Sequence, residues 1–277
     1  MSKYIEKLMK SKCAPHLNKE NDKCYTLKQL KKIATKLNTV LKKNNKPLIK
    51  LSQKKSNLWN DIYHFFKKKC AEDDKCWLKQ KEIEDIVDDN MELFTFKVDM
   101  PEEWKNDKFT WLNSLDIYYF MILAEKVYKT FKFYKPVPSD CPNGINCELT
   151  NLNLKELYKQ GKKKIGIIYN LDVSTGPGTH WTAVYIDIQK EHINYYDSTG
   201  SVPLPSINKF LIKLSKQMNN PVMIYNDSPH QREGSECGMF SMNFLLQRLE
   251  NKSMYEISKA NYTDEKMNKL RKVFYYN

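Results

Sequence analysis

Cys237 is the side chain in this sequence with the clearest potential for nucleophilic chemistry. It stands in the polar segment GSECG, directly ahead of an apolar stretch with helical spacing. A thiol at a helix N-terminus feels a partial positive charge that favours the reactive thiolate. Its backbone N–H would lack an intrahelical acceptor, which makes that N–H a candidate oxyanion donor. Taken alone, a cysteine at such a position is more often an inert structural residue.

His180 and Asp197 can be related to each other by strand geometry. Trp181–Ile188 and Ile193–Tyr196 are apolar, β-branched or aromatic, and are predicted to form a hairpin. In such a hairpin the sequence numbers of any two paired residues have the same sum, here about 379. Asp197 would then face Thr182 and lie diagonally from His180. The carboxylate could then hold the imidazole in one tautomer and stabilise the imidazolium. On spacing alone, a hairpin with a polar edge remains the more frequent explanation.

Four motifs in a fixed order resemble one group of cysteine proteases. They are Trp-Leu-Asn-Ser at 111–114, His-Trp at 180–181, Tyr-Asp-Ser at 196–198 and Gln-x5-Cys-Gly at 231–238. The group contains the SUMO-type proteases, which act on ubiquitin-like modifiers, and the adenovirus-type maturation proteases. The resemblance covers residues 109–277. The order with His first and Cys last also differs from that of papain-like enzymes.

The resemblance implies a role for each catalytic side chain. Cys237 would be the nucleophile and His180 the general base, with Asp197 orienting the imidazole. The Gln231 side chain and the Cys237 N–H would form the oxyanion hole. The resemblance implies neither a metal ion nor any other cofactor in this site.

Two tryptophans are implied to bind substrate. In the SUMO-type branch, the Trp after the catalytic His and the Trp of the entry motif enclose the Gly-Gly of the substrate. Trp181 and Trp111 hold those positions here, although without the resemblance both would be assigned to the core. Glu236 departs from the pattern, because an Asp commonly precedes the nucleophile. The departure bears on specificity more than on catalysis.

The basic, helical N-terminal region ahead of a short core is similar to the maturation proteases of African swine fever virus and other large DNA viruses. This implies cleavage of viral structural polyproteins after Gly-Gly, in the host cytoplasm (the viral factory) and the virion. Three alternatives stay open: removal of SUMO or ubiquitin from host conjugates, acyl transfer by the same residues, and a non-enzymatic basic protein that binds nucleic acid or capsid. The intact catalytic set disfavours the last.

The predicted elements around the motifs indicate an α+β fold. Ile165–Leu171 and Val222–Tyr225 are predicted to be strands beside the hairpin, and the residues from Cys237 onward a helix. The resemblance adds the arrangement, a SUMO-protease-like core with a central mixed β-sheet flanked by helices. Such a core would occupy residues 106–277.

Residues 1–105 are predicted to form a helical N-terminal domain. Apolar residues recur three and four apart over 27–41 and again over 58–66, and a third such stripe is suggested over 83–87. The charge of this domain is uneven, because residues 1–60 contain sixteen lysines and three acidic residues. The lysines favour a solvated helix surface slightly over a nucleic-acid site, so that non-specific nucleic-acid contact through residues 1–60 is the secondary expectation.

The seven cysteines, an odd number, are predicted to be free thiols of a protein that is not secreted. The N-terminus lacks the apolar stretch of a secretory signal. No apolar run reaches the length of a membrane span, so no membrane partner is expected. Cys70 and Cys76, like Cys141 and Cys147, have a Cys-x5-Cys spacing, for which structural zinc is a minor alternative.

Overall fold

The protein divides into two compact units, seen here in a computed structural model. One unit comprises Lys7–Lys97, and the other comprises Met1–Glu6 with Val98–Asn277. The division lies ahead of the boundary predicted after residue 105, and it assigns the first six residues to the C-terminal unit. The structure describes residues 3–9, 11–17, 23–107, 109–141 and 147–276. No helix within these ranges has both the length and the apolar character needed to cross a membrane.

Helices around one apolar core build the unit of residues 7–97, as predicted. The longest helix begins after Thr26, which forms a capping box with Gln29. Leu30, Ile33 and Leu37 of its predicted stripe are fully buried, whereas Leu27 at the start of the stripe is partly buried. The helical segments up to residue 97 are α1 (Lys3–Met9), α2 (Leu27–Lys43), α3 (Lys55–Cys70), α4 (Asp89–Phe94) and two 3-10 helices, Asp74–Lys79 and Glu84–Ile86.

The prediction of a third α-helix from the apolar stripe over residues 83–87 is wrong. This segment forms only the single 3-10 turn Glu84–Ile86. Three apolar residues are too few to repay the nucleation of an α-helix. Ile83 nevertheless packs into the core of its unit.

The prediction of free thiols is wrong for six of the seven cysteines. They form the disulfides Cys13–Cys24, Cys70–Cys76 and Cys141–Cys147. Their Cα–Cα separations of 4.9, 5.5 and 5.2 Å suit such bonds. Composition could not reveal these pairs, because pairing depends on the distance between the two backbones. All seven cysteines lie in the described ranges, and Cys237 is the free one.

A mixed sheet forms the centre of the C-terminal unit, which confirms the predicted fold class. Its strands, within the described residues, are β1 (Phe131–Phe133), β2 (Val137–Pro138), β3 (Lys164–Asn170), β4 (Trp181–Asp187), β5 (His192–Tyr196) and β6 (Val222–Tyr225). The order is β1-β3-β4-β5-β6, with β2 also pairing with β3. The β3–β4 and β4–β5 pairs are antiparallel and the others parallel. The strands β1 and β2 went unpredicted because both are too short to show a period of two.

The β4–β5 hairpin has the register that the sequence predicted. Asp187 pairs with His192 and Ala183 with Tyr196, so that paired numbers sum to the expected value. All seven residues of β4 are buried, which indicates that both faces of this strand are covered. This register fixes where the residues that flank the two strands, His180 and Asp197, must lie.

A buried helix, α8, packs against β4. Every residue from Cys237 to Leu249 is buried, and Ser241 Oγ donates to the carbonyl of Trp181 at 3.1 Å. The start of α8 is thereby held beside the start of β4. The helices of this unit beyond residue 97 are α5 (Ser114–Val127), α6 (Leu154–Lys159), α7 (Pro205–Ser215), α8 (Cys237–Leu249), α9 (Met254–Ser258), α10 (Asp264–Phe274) and the 3-10 helix Glu102–Lys105.

Candidate active site

Cys237 is the first residue of α8, and its side chain is almost entirely buried. The preceding residue, Glu236, occupies the N-cap position without a side-chain capping bond. Its carboxylate is used elsewhere, because Arg271 Nε donates to it at 2.8 Å and Asn268 at 3.0 Å. The departure at Glu236 from the family's Asp is thus accommodated by an ion pair. The Cys237 N–H lies where an α-helix leaves its N–H groups without intrahelical acceptors.

His180 is held at the end of an ordered loop that leads into β4. Its carbonyl accepts from the Leu171 N–H at 2.8 Å, and the Thr179 N–H donates to the Asn170 side chain at 3.0 Å. The imidazole Nε2 then lies 2.8 Å from Asp197 Oδ1. The strand geometry derived from the sequence therefore correctly predicted that these two side chains are in contact.

The electrostatic environment of His180 favours its charged form. Burial lowers the pKa of His180, but hydrogen bonds to Asp197 and Cys237, together with their charges, outweigh burial and raise it to about 9. Since Nε2 is bound to Asp197, Nδ1 is the nitrogen left for Cys237. An imidazolium between a carboxylate and a thiol stabilises the thiolate. The arrangement is therefore suited to nucleophilic catalysis by a cysteine.

Asp197 is fixed by a tight turn as well as by its histidine. Oδ1 accepts from both the backbone N–H and the hydroxyl of Thr199, each at 2.8 Å. The Asp197 carbonyl accepts from Gly200, whose φ is +78°. A Cβ at Gly200 would also lie 3.1 Å from the Pro229 nitrogen, so glycine suits this position on both counts.

Gln231 is oriented by the residue that follows Asp197. Ser198 Oγ donates to Gln231 Oε1 at 2.6 Å, which leaves the Gln231 amide nitrogen as a donor. That nitrogen donates to the carbonyls of Gly234 at 3.0 Å and Glu233 at 3.3 Å. Both carbonyls belong to the loop that leads to Cys237. For Gln231 to bind an oxyanion, one of these N–H groups must turn away from the loop.

The two tryptophans differ in exposure. Trp181 is buried and its Nε1 donates to the Leu112 carbonyl at 3.0 Å, whereas Trp111 is 44% exposed. A Cβ added at Gly238, next to the nucleophile, would lie 3.4 Å from the Trp181 ring. Trp181 is therefore close to the start of α8, and Trp111 presents its indole to solvent.

His230 has partners of its own and stands apart from the His180 hydrogen bonds. Nδ1 bonds the hydroxyl of Tyr196 at 2.8 Å and Nε2 the carbonyl of Ser258 at 3.2 Å. Burial lowers the pKa of His230. The neutral ring satisfies both partners, which gives this histidine a structural role.

The sequence reasoning missed four residues that hydrogen-bond to the candidate site residues or to their neighbours: Ser198, Thr199, Asn226 and Arg271. Ser198 and Thr199 directly follow the candidate Asp197, so their polar side chains next to a site residue were the signal that could have identified them. Asn226 and Arg271 carry no local signal, because their partners lie far away in sequence. Within the described ranges, no three His, Cys, Asp or Glu side chains are grouped to hold a metal ion.

Known proteins share this fold and its sequence pattern. The family model for the C-terminal catalytic domain of Ulp1 proteases matches residues 84–276. The chain belongs to the Ulp1 protease family. A protein of Acanthamoeba polyphaga mimivirus described as a thiol protease is 30% identical over 285 residues, which cover 96% of this chain and 93% of that protein. This Ulp1-family chain is a cysteine protease.

Two similarities to African swine fever virus add detail. A cysteine protease of that virus is 31% identical over 127 residues, which cover 41% of this chain and 46% of the viral protein. The crystal structure of a protease from the same virus matches with a TM-score of 0.66 at 19% identity, covering 96% of this chain and 95% of that one. At this identity the structural match shows a shared fold. The Ulp1-family chain thus resembles viral proteases along most of its length.

Proposed function

We propose that this cysteine protease hydrolyses peptide bonds after Gly-Gly in viral structural polyproteins. The observation that carries the proposal is the contact of His180 Nε2 with Asp197 Oδ1 at 2.8 Å, in a histidine whose pKa Cys237 also helps to raise. Nucleophile, base and orienting group within hydrogen-bond reach are the requirement for covalent catalysis.

The acylation step follows from this arrangement. The Cys237 thiolate attacks the scissile carbonyl carbon, a C–S bond forms, and the carbonyl electron pair moves onto oxygen. The Cys237 N–H and the Gln231 amide are the donors proposed to hold this oxyanion. The His180 imidazolium then gives its proton to the leaving nitrogen, and the C–N bond breaks to leave a thioester.

Deacylation uses the same groups in reverse. Neutral His180 removes a proton from water, which attacks the thioester carbonyl through a second oxyanion. The C–S bond then breaks, the new C-terminal carboxylic acid leaves, and the Cys237–His180 ion pair is restored. Asp197 keeps its hydrogen bond to the imidazole and stabilises the imidazolium in each half of the cycle.

The Gly-Gly preference rests on Trp111 and Trp181. If these indoles close over the substrate backbone, a Cβ on either of the two residues before the scissile bond would meet a ring. Support comes from the placement of Trp181 beside Gly238 and from the exposed indole of Trp111. Glycine permits such a close approach.

A peptide vinyl sulfone that ends in Gly-Gly tests the proposal. We expect peptide mass spectrometry to find the adduct on Cys237, and Cys237→Ala to remove it. A second probe, an intact ubiquitin-like domain with the same reactive end, separates polyprotein cleavage from removal of modifiers. Preference for short Gly-Gly peptides from viral capsid precursors supports the first. Transfer of the acyl group to an added amine instead of water would identify an acyltransferase.

The basic segment 1–60 is proposed to contact polyanions only weakly. In the unit of residues 7–97, lysines of this segment pair with acidic side chains from later in the chain. The pairs are Lys12–Asp74, Lys32–Asp88 and Lys36–Asp85. Binding of a fluorescent oligonucleotide, measured against salt concentration, tests this, and a steep salt dependence would indicate a dedicated nucleic-acid surface.

A further inference from the structure

Asn226 is a buried amide that bonds the backbone of the candidate triad carboxylate. It directly follows β6 and is 2% exposed. Its Oδ1 accepts from the Asp197 N–H at 2.8 Å, and its Nδ2 donates to the Asp197 carbonyl at 2.6 Å. A second donation from Nδ2 reaches the Ser228 carbonyl at 3.3 Å. One side chain therefore satisfies both polar backbone groups of Asp197.

This pair of bonds continues the sheet by one residue. The parallel β5–β6 register ends where Tyr195 pairs with Tyr225, and the Asn226 N–H still donates to the Tyr195 carbonyl at 3.3 Å. Beyond that point the chains separate, since Asp197 enters its turn. The side-chain amide of Asn226 supplies the donor and acceptor that a neighbouring strand would otherwise offer.

The two hydrogen bonds from the Asn226 side chain to the Asp197 backbone, called the clamp below, limit how Asp197 can move. With its N–H and carbonyl both fixed, the carboxylate can change position chiefly by side-chain rotation. The bonds from Thr199 to Oδ1 restrict that rotation in turn. Oδ1 is then held where His180 Nε2 can reach it at 2.8 Å.

We propose that Asn226 is a positioning residue of the protease, which acts through Asp197 on His180. The inference deepens the proposed function and rests on it, since it assigns Asp197 to the catalytic machinery. Loss of the clamp lets the carboxylate drift, and the imidazolium loses part of its stabilisation. A misplacement of about 1 Å lowers turnover by up to about 10²-fold.

The expected pH effect has a definite sign. The groups that act on the charge of His180 are Asp197 at the end of β5 and Cys237 at the start of α8. The charge of Asp197 also acts on the neighbouring hydroxyls of Tyr195 and Tyr196. A weaker contact with Asp197 destabilises the imidazolium, so that the upper apparent pKa of the thiolate–imidazolium pair falls and the lower one, at which the thiolate forms, rises.

The test is the pH dependence of Cys237 alkylation by iodoacetamide, read by peptide mass spectrometry, together with kcat and KM on a Gly-Gly peptide. We expect Asn226→Ala to shift the acidic limb of the alkylation profile to higher pH, towards that of an ordinary thiol, and to lower kcat about 10- to 100-fold at unchanged KM. Tyr225→Phe is the matched control, because it removes one hydrogen bond, to Asn208, from the adjacent residue. Asn226→Ser replaces Asn226→Ala if thermal unfolding shows that the alanine variant does not fold.

A double-mutant cycle gives a second, independent outcome. In an Asp197→Ala background, Asn226→Ala should cause no further loss of kcat, because the clamp then holds nothing that acts on His180. The inference is overturned if the losses of kcat caused by Asn226→Ala and Asp197→Ala are fully additive. It is also overturned if the alkylation profile of Asn226→Ala is identical to that of the wild type. If the wild-type Cys237 itself alkylates like an ordinary thiol, the proposed function fails instead, whatever the Asn226 variants do.

Discussion

Arg271 Nη1 donates to the carbonyl of Thr110 at 2.7 Å, which ties the C-terminal helix to the residue directly before Trp111. The same guanidinium bonds Glu236, directly before Cys237, and packs 4.2 Å from the ring of Trp104. One buried cation therefore connects the segment that carries the nucleophile with the segment that carries the exposed indole. The ion pair orients two parts of the candidate site at once.

Breaking this ion pair should destabilise the protein strongly. Both side chains are 3% exposed, so Arg271→Leu leaves the Glu236 carboxylate buried without its counter-charge. We expect a loss of about 3–5 kcal/mol in the free energy of unfolding, measured with denaturant. Lys269→Ala is the matched control on the same helix, since its pair with Glu265 is exposed, and it should change little. Equal effects of the two variants would contradict a structural role for the buried pair.

The raised pKa of His180 predicts a specific dependence of stability on pH. A group whose pKa rises from 6.5 to about 9 on folding contributes stability that is complete below the lower value and is lost as pH rises through the higher one. We therefore expect the free-energy difference between wild type and His180→Gln to be largest near about pH 6 and to shrink towards about pH 10. A difference that grows with pH would mean that folding lowers this pKa.

Gln231→Ala should act on turnover rather than on substrate affinity. If the Gln231 amide donates to the oxyanion, its loss lowers kcat by about 10²–10³. Ser198→Ala should have a smaller effect in the same direction, because Ser198 only fixes which end of the amide is the donor. Steady-state kinetics on a Gly-Gly peptide gives kcat and KM separately. A change confined to KM would remove Gln231 from the oxyanion hole.

The disulfides of the N-terminal unit should contribute measurable stability. Cys70–Cys76 closes a separation of 6 residues and Cys13–Cys24 one of 11, for which the chain-entropy estimate is about 2–3 kcal/mol each. Without reductant, the free energy of unfolding of the double variant Cys70→Ala, Cys76→Ala should be about 2 kcal/mol below that of the wild type. With reductant, the two proteins should have the same free energy of unfolding. Peptide mapping without reduction should recover the linked pair. A free thiol at Cys70 would restore the expectation from composition.

Contacts within one hairpin could be predicted from sequence because strand geometry has a fixed period. Once Trp181–Ile188 and Ile193–Tyr196 are paired, only one register places both apolar faces correctly, and that register puts Asp197 beside His180. Cys237 at the start of α8 followed in the same way from the helical spacing behind it. These inferences need no knowledge of the rest of the chain.

Contacts between distant elements could not be predicted in this way. Asn226 meets Asp197 only because β6 pairs with β5 in parallel, and the two residues are 29 apart. Arg271 meets Glu236 across 35 residues because α10 packs on α8. Nothing in the local spacing of either residue favours such a partner over solvent. The disulfides fall in the same class, since composition predicts no backbone distance.

The Gly-Gly preference is best tested at Trp111, because its indole is 44% exposed and can be removed without opening a cavity in the core. Trp181 is buried, so its truncation would also cost stability, about 3–5 kcal/mol for a core tryptophan. We expect Trp111→Ala to lower kcat/KM steeply on Gly-Gly peptides while leaving the alkylation of Cys237 by iodoacetamide unchanged.

Substrate variants complete this prediction. Replacement of either glycine by alanine should lower kcat/KM steeply in the wild type, because the added Cβ meets an indole. In Trp111→Ala the same replacement should matter much less, since one of the two rings is gone. Phe109→Ala, also exposed and two residues earlier, is the control and should keep the full glycine preference. Efficient wild-type cleavage of peptides with bulky residues at both positions would show that no tunnel encloses the substrate, and the Gly-Gly assignment would fall with it.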